Sequence, residues 1–304
     1  MNEKATTVVK KRILISKEYK TICDFIDQFE GLAIDCEIAL LQKFPSIESL
    51  TLKAILQVQV TTHIKALRWR HESRTLKYNK CSSNSKDSDI LLKIAREHRV
   101  GPVTLCRYIL KFKYEMKNKA EIAHLLKYPQ LIEDQQLSAN IIQCMCSDNQ
   151  DGPLVDLKRR ILGEEYEFKL KDLATKAGMH FHDENELRRL GYDKTPDLKM
   201  ILPFLFRGEV INWIESKAGF GDIKSHRYYT QQQYQSYCNR FGPGIVIYWM
   251  GYQEETATLP DNDDGIIVLD DFPRLEDLEL LDLSKTMQHL DNVNRYKHFR
   301  LLLW

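Results

Sequence analysis

The chain has 304 residues, 43% of them hydrophobic and 29% charged, which is room for two domains because a single core usually stops growing at about 100 to 200 residues. No run approaches the roughly 18 consecutive apolar residues of a membrane span, and the opening stretch MNEKATTVVKKRILISKEYK lacks an apolar segment followed by a small-residue cleavage site, so secretion is not expected. The net charge of +1 hides a gradient: 24 Lys and Arg against 17 Asp and Glu in residues 1–150, 15 against 14 in 151–252, and 5 against 12 in 253–304. A basic front and an acidic tail fit a polyanion-binding surface with an internal competitor for it, the alternative being two solvated faces.

In chain order, residues 17–44 and 46–78 carry apolar positions at helical spacing, for instance Ile47, Leu50, Leu52, Ile55, Leu56 and Val58, with Ser46 as an N-cap after Pro45. The second predicted helix ends in HIKALRWRHESRTLKYNK, where Arg68, Arg70 and four further basic residues are interleaved with Trp69 and Tyr78. That pattern suits a phosphate backbone, or an exposed helix face with one packed indole. After a polar loop at Cys81–Asp89, a helix capped by Ser88 or Asp89 runs to Glu97, HRVGP makes a turn, and Pro102 opens the next helix. This is a helix-turn-helix shape, with Arg107, Lys111, Lys113, Lys117 and Lys119 available to nucleic acid, or simply a packed helix pair.

Two short helices over 120–147 complete an all-α domain, 1–150, and SDNQDGP at 147–153 marks the expected boundary. Beyond it the order is helix, short strand near His180–His182, strand pair, amphipathic helix around Tyr228–Asn239, and the buried strand GPGIVIYWMGY. That alternation is an α/β order over 151–275. GIIVL is one more expected strand, and 276–304 is an acidic extension. The seven cysteines are odd in number and scattered, which suits reduced thiols better than a disulfide framework.

The strand pair holds the chemistry. Glu215 and Lys217 share one face of an extended strand by alternation. Whether Asp197 joins them depends on the loop. A two-residue turn at Arg207-Gly208 sets Glu215 opposite Met200 and leaves Asp197 on the other face. A three-residue loop, Phe206-Arg207-Gly208, with Gly208 left-handed in a bulge, sets Asp197 opposite Lys217 and Glu215 opposite Lys199. The expectation is the second. Two carboxylates on a mostly apolar sheet repel and lose hydration unless a cation compensates. Mg²⁺, with Mn²⁺ as the alternative, would be held by Asp197 and Glu215 while Lys217 orients a water for phosphodiester hydrolysis. Glu165, on the preceding helix, is a further candidate ligand; a salt bridge at a sheet end is the rival explanation. Of the remaining candidates, Gln231 and Tyr228 are expected near the site as supporting residues, and Arg227 and Arg240 as phosphate holders. His180 and His182, two apart, read more readily as surface histidines than as ligands.

YDKTPD, WIESKAGFGD and NRFGPGIVIYWMG resemble the TPD-motif nuclease family of the PD-(D/E)xK restriction-endonuclease-like superfamily, over about residues 30–275 and most strongly 150–252. The resemblance implies an α/β restriction-endonuclease-like core, a mixed sheet flanked by helices, preceded by an all-α domain containing helix-turn-helix elements. It implies that Asp197 is the motif aspartate, Glu215 and Lys217 the Glu-x-Lys pair, and Glu165 a helical acidic residue as in the Holliday-resolvase-like branch. It further implies a nuclear, magnesium-dependent DNA nuclease with a codanin-1-like protein partner; the activity expected here is endonucleolytic, with branched or structured DNA as one candidate substrate. An adaptor that binds such a partner on a nuclease-derived fold, with little catalytic activity, is the alternative.

Overall fold

The computed structural model describes residues 10–66, 89–115 and 118–280. Arg68, Arg70, the end of the helix expected over 46–78, most of the expected polar loop, Lys117 and the tail from residue 281 lie outside the described residues. Two compact units share the chain. One is built from the part up to Tyr166 together with Lys217–Ile223 and Tyr248–Thr258, the other from Glu167–Ser216, Lys224–Ile247 and the part from Leu259.

The first unit is helical: α1 Ser16–Gln28, α2 Ala33–Lys43, α3 Ser49–Ala66, α4 Ile90–Glu97, α5 Pro102–Lys113, α6 Lys119–Lys127, α7 Gln135–Ser147 and the first half of α8 Pro153–Lys176. The periodicity over 17–44 belongs to two helices, since Asp35 accepts the Leu32 N–H at 3.3 Å and restarts the chain as α2. Ser46 is not an N-cap. Its carbonyl accepts the Lys11 N–H at 2.9 Å and Ile47 bridges to Lys11, so α3 begins three residues later. Leu14, Ile22, Leu40, Ile55 and Leu56 form the core of these three helices.

The helix pair α4–α5 forms as expected and packs on α7 through Leu91, Ile94, Val103, Ile109, Leu137 and Ile141. Its caps come from elsewhere. Asn140 of α7 accepts the Leu91 N–H at 3.0 Å and Asp148 accepts the Val103 N–H at 2.9 Å, so the orphan donors at both helix starts are satisfied from long range. Asp89 stands at the N-cap of α4 without a side-chain cap bond and pairs with Lys93 at 3.0 Å.

The second unit holds a six-stranded sheet in the order β1 Phe181–Asp183, β2 Leu198–Phe206, β3 Glu209–Lys217, β4 Gly244–Tyr248 and β5 Ile266–Leu269, with β6 Leu278–Leu280 also paired to β2. Strands β1–β2, β2–β3 and β2–β6 are antiparallel and β4–β5 are parallel. Leu278–Leu280 of the expected acidic extension are therefore strand. Helix α9, Glu184–Arg189, follows β1, and α10 Ile223–Tyr229, a π-helical turn Thr230–Tyr234 and α11 Gln235–Phe241 link β3 to β4.

The β2–β3 connection corrects the expected loop. Phe206 pairs with Glu209, leaving a two-residue turn in which Arg207 (φ +51°) and Gly208 (φ +88°) are both left-handed, as mirror-image hairpin turns require. The register then shifts. Phe204 pairs with Ile211 but Lys199 pairs with Trp213, so four residues of β2 face the single Asn212 of β3. Pro203, which has no N–H to place in a ladder, sits in this surplus. A shift of three is odd, so it exchanges the two faces of the strand. Continuing the pairing Leu198↔Ile214 by one residue sets Asp197 opposite Glu215. The two acids converge, by a bulge inside β2 and not by a longer loop.

Trp213, fully buried, donates its Nε1–H to the Gly242 carbonyl at 2.8 Å and lies over Gly244, where a Cβ would meet the indole at 2.1 Å. Gly244→Ala is therefore expected to destabilise the protein by about 3 kcal/mol, read as a lowered urea midpoint.

Candidate active site

Glu215 is 4% exposed and Asp197 half-buried. The Ser216 N–H donates to Asp197 Oδ2 at 2.7 Å, which ties the aspartate to the strand beside Glu215. Lys217 ends β3, and alternation puts it on the Glu215 side of the strand. Asp197 reaches this place through Thr195 and Pro196, both buried. The Thr195 carbonyl accepts the Tyr237 hydroxyl at 2.8 Å, and the Thr195 hydroxyl lies 3.3 Å from Glu184 Oε1. Glu184 opens α9 and is paired with Arg188 at 2.6 Å.

Tyr237 closes the site from the helix side, its ring edge-on to Trp213 at 5.3 Å. Burial, and then the negative charges of Glu215, Asp197 and Glu184, push its phenol far above the ordinary tyrosine value, with Arg188 opposing. It therefore remains a hydrogen-bond donor throughout the neutral range. The face of the helix turned inward carries His226, Thr230, Tyr234 and Tyr237. These positions are four, four and three residues apart, a helical stripe that runs on through the π turn Thr230–Tyr234. Gln231 and Tyr228, the expected supporting residues, lie on the outer side; Tyr228 is 60% exposed and packs on Tyr229 at 5.8 Å.

The basic candidates are mostly engaged. Arg107 makes a two-point pair with Asp151, at 2.8 and 3.2 Å, inside the first unit. Lys113 pairs with Asp134, Arg227 lies 3.6 Å from Asp261, and Arg240 is held by Asp193 at 2.5 Å. Lys111 and Lys119 are exposed. His180 is exposed and His182 lies 3.6 Å from Glu186. Glu165 is exposed on α8. Among the described residues no three His, Cys, Asp or Glu side chains gather into a metal-ligand group, so the acidic centre of the second unit is the pair Asp197–Glu215.

The family model described as "protein of unknown function TPD sequence-motif" matches residues 133–272, which include Thr195-Pro196-Asp197. CDAN1-interacting nuclease 1 of Homo sapiens is 38% identical over 245 residues, 77% of this chain and 86% of the relative. The protein of that name from Danio rerio is 35% identical over 267 residues (84% and 88%), and that from Xenopus tropicalis 34% over 273 residues (86% and 89%). The chain belongs to this TPD-motif family of CDAN1-interacting nuclease 1. No solved structure matches it. In this TPD-family member the motif is a structural unit: the threonine carbonyl anchors the tyrosine of the helix, the buried proline fixes the approach, and the aspartate reaches β3. Thr195 and Glu184 were not among the candidates read from sequence, and Tyr237 reads there as one of a set of tyrosines at helical spacing that pack the core and rim. The signal for Tyr237 was present in SHRYYTQQQYQSY, where His226, Thr230, Tyr234 and Tyr237 share one helical stripe.

Tyr237→Phe removes the donor to the Thr195 carbonyl and leaves that acceptor buried. The expected loss is about 1 kcal/mol in urea denaturation, with the far-ultraviolet circular dichroism unchanged.

Proposed function

We propose that this protein is a metal-dependent DNA endonuclease that hydrolyses phosphodiester bonds at the Asp197–Glu215 pair. The observation that carries the reading is the odd-numbered surplus in β2, which places a half-buried and a buried carboxylate opposite each other on one face. Like charges in such surroundings disfavour each other's ionised forms, and a divalent cation between them reverses that preference. Two carboxylates are hard oxygen donors, suited to Mg²⁺ or Mn²⁺. When bound, such an ion supplies Lewis-acid polarisation of the phosphate and a water of lowered pKa.

The chain's own part is positional. Asp197 is held by the Ser216 N–H, so its carboxylate enters the site already oriented. Lys217, on the Glu215 side of β3, is placed to orient the attacking water and to offset charge gathering on the phosphate oxygens. Tyr237 keeps the loop bearing Asp197 from swinging off the sheet, through its bond to the Thr195 carbonyl. Glu165, exposed on α8, enters the proposal as the acidic residue of the helix before the sheet and through the family resemblance. The helix pair α4–α5 presents exposed Lys111 for docking duplex backbone. Arg107 is assigned a structural role, since a phosphate would have to displace Asp151. The relatives' printed name supports a nuclease, and it also names CDAN1 as what those proteins interact with. A CDAN1-like protein is the partner proposed here, and the nucleus the compartment.

Two measurements test the reading together. Mg²⁺ at 100 times its dissociation constant should stabilise the unmutated protein by about 2.7 kcal/mol and do little for Asp197→Asn or Glu215→Gln. In EDTA, Glu215→Gln should be at least as stable as the unmutated chain, because one of two facing charges is gone. Both variants should lose at least about a thousandfold in cleavage of a DNA panel. Cleavage at an undiminished rate by either variant would refute the assignment, and a protein that binds its partner yet neither binds metal nor cuts would establish the adaptor.

A further inference from the structure

Beside the β2 bulge lies an open cavity of about 610 Å³, inside the 300 to 1,000 Å³ range of small-ligand sites. The β2 bulge that sets the register also makes its floor. Pro203, Asn212, Lys199 and Arg240 line it with the rings of Tyr192 and Phe241. Tyr192 and Phe241 are 5.7 Å apart and inclined at 58°, so they form a notch and not a closed stack. Tyr192 is 39% exposed. Lys199 is two residues beyond Asp197, about 6 to 7 Å along an extended chain, and among the described residues it has no ion-pair partner.

We infer that this cavity is a nucleobase subsite, which takes one unpaired base of the nucleotide next to the bond being cut. Three observations point there. Aromatic faces and a prolyl edge offer a stacking surface that any base can use. Arg240 is already held by Asp193, which leaves Lys199 as the available cation of the lining, and one such charge suits the phosphate beside a base and not a neutral ligand. The distance along β2 from Asp197 to Lys199 keeps the base and the cleaved phosphate within one nucleotide of each other. A base stacked and paired inside a duplex cannot enter such a notch without leaving the helix, and that unstacking costs free energy. The subsite therefore selects DNA with an unpaired nucleotide at the cleavage point over continuous duplex. The inference rests on the nuclease reading for what the cavity holds, but its binding test does not require cleavage.

The test measures binding of a fluorescein-labelled single-stranded oligonucleotide and of its duplex to the full chain carrying Asp197→Asn, which keeps an acceptor for the Ser216 N–H. Adding Tyr192→Ala should weaken single-strand binding about tenfold and leave duplex binding within twofold. Lys199→Ala should weaken single-strand binding too and flatten its dependence on salt. Equal losses on both DNAs, or none on the single strand, would overturn the subsite. Should the chain carrying Asp197 cut no DNA while Tyr192→Ala still weakens only single-strand binding, the subsite stands and the nuclease reading falls. Should it cut DNA while Tyr192→Ala changes nothing, the subsite alone falls. Because Tyr192 is partly exposed, its truncation leaves the core intact, and an unchanged melting curve verifies this in the same preparation.

Discussion

The pleat of a β-strand allows a side chain only two sides, and the acidic site depends on which side Asp197 takes. Counted from the Arg207-Gly208 turn, an unbroken ladder would send Asp197 and Glu215 to opposite faces. Three surplus residues in β2 reverse the parity, and the Ser216 N–H then fixes the aspartate in its new place. The turn, the bulge and the TPD segment are thus one device. The turn allows the tight hairpin, the bulge turns the strand over, and the proline and threonine deliver the aspartate to its partner.

The helix behind the sheet makes that device rigid. Trp213 is pinned between the Gly242 carbonyl, the bare backbone of Gly244 and the rings of Tyr234 and Tyr237. Its immobility fixes the middle of β3, two residues before Glu215. Tyr237 then connects the helix to the loop before Asp197, so both acids are referenced to one aromatic cluster. Such pre-positioning matters because two facing carboxylates left to relax would separate; the surrounding structure supplies the work that holds them together.

Much of this was legible in the residues, and the parts that were not share a physical reason. Alternation along VINWIESK assigned the faces of β3, and the helix pair over 90–113 followed from Gly101-Pro102 and its apolar spacing, because these are local patterns. The hairpin loop was misjudged because two different irregularities, a longer turn or an internal bulge, bring the same acids together, and only the ladder distinguishes them. Asn140 and Asp148 could not be foreseen as caps, since they lie 49 and 45 residues from the amides they accept. Tyr237 falls on the helical stripe that packs inward, but its bond to the Thr195 carbonyl spans 42 residues and no local pattern shows it. The basic positions were legible as charges but not as free charges: Arg107 and Arg240 each have a carboxylate already in contact.

The far edge of β2 bears a consequence for handling the protein. That edge is covered in two short pieces, by β1 along Leu198–Met200 and by β6 along Phe204–Phe206, with Arg207 paired to Asp277 at 3.0 Å just beyond. A chain cut before Leu278 would bare the amides and carbonyls of an apolar strand, which are a template for pairing with another molecule. Shortened forms lacking these few residues would be prone to self-association through the edge that a three-residue strand otherwise covers.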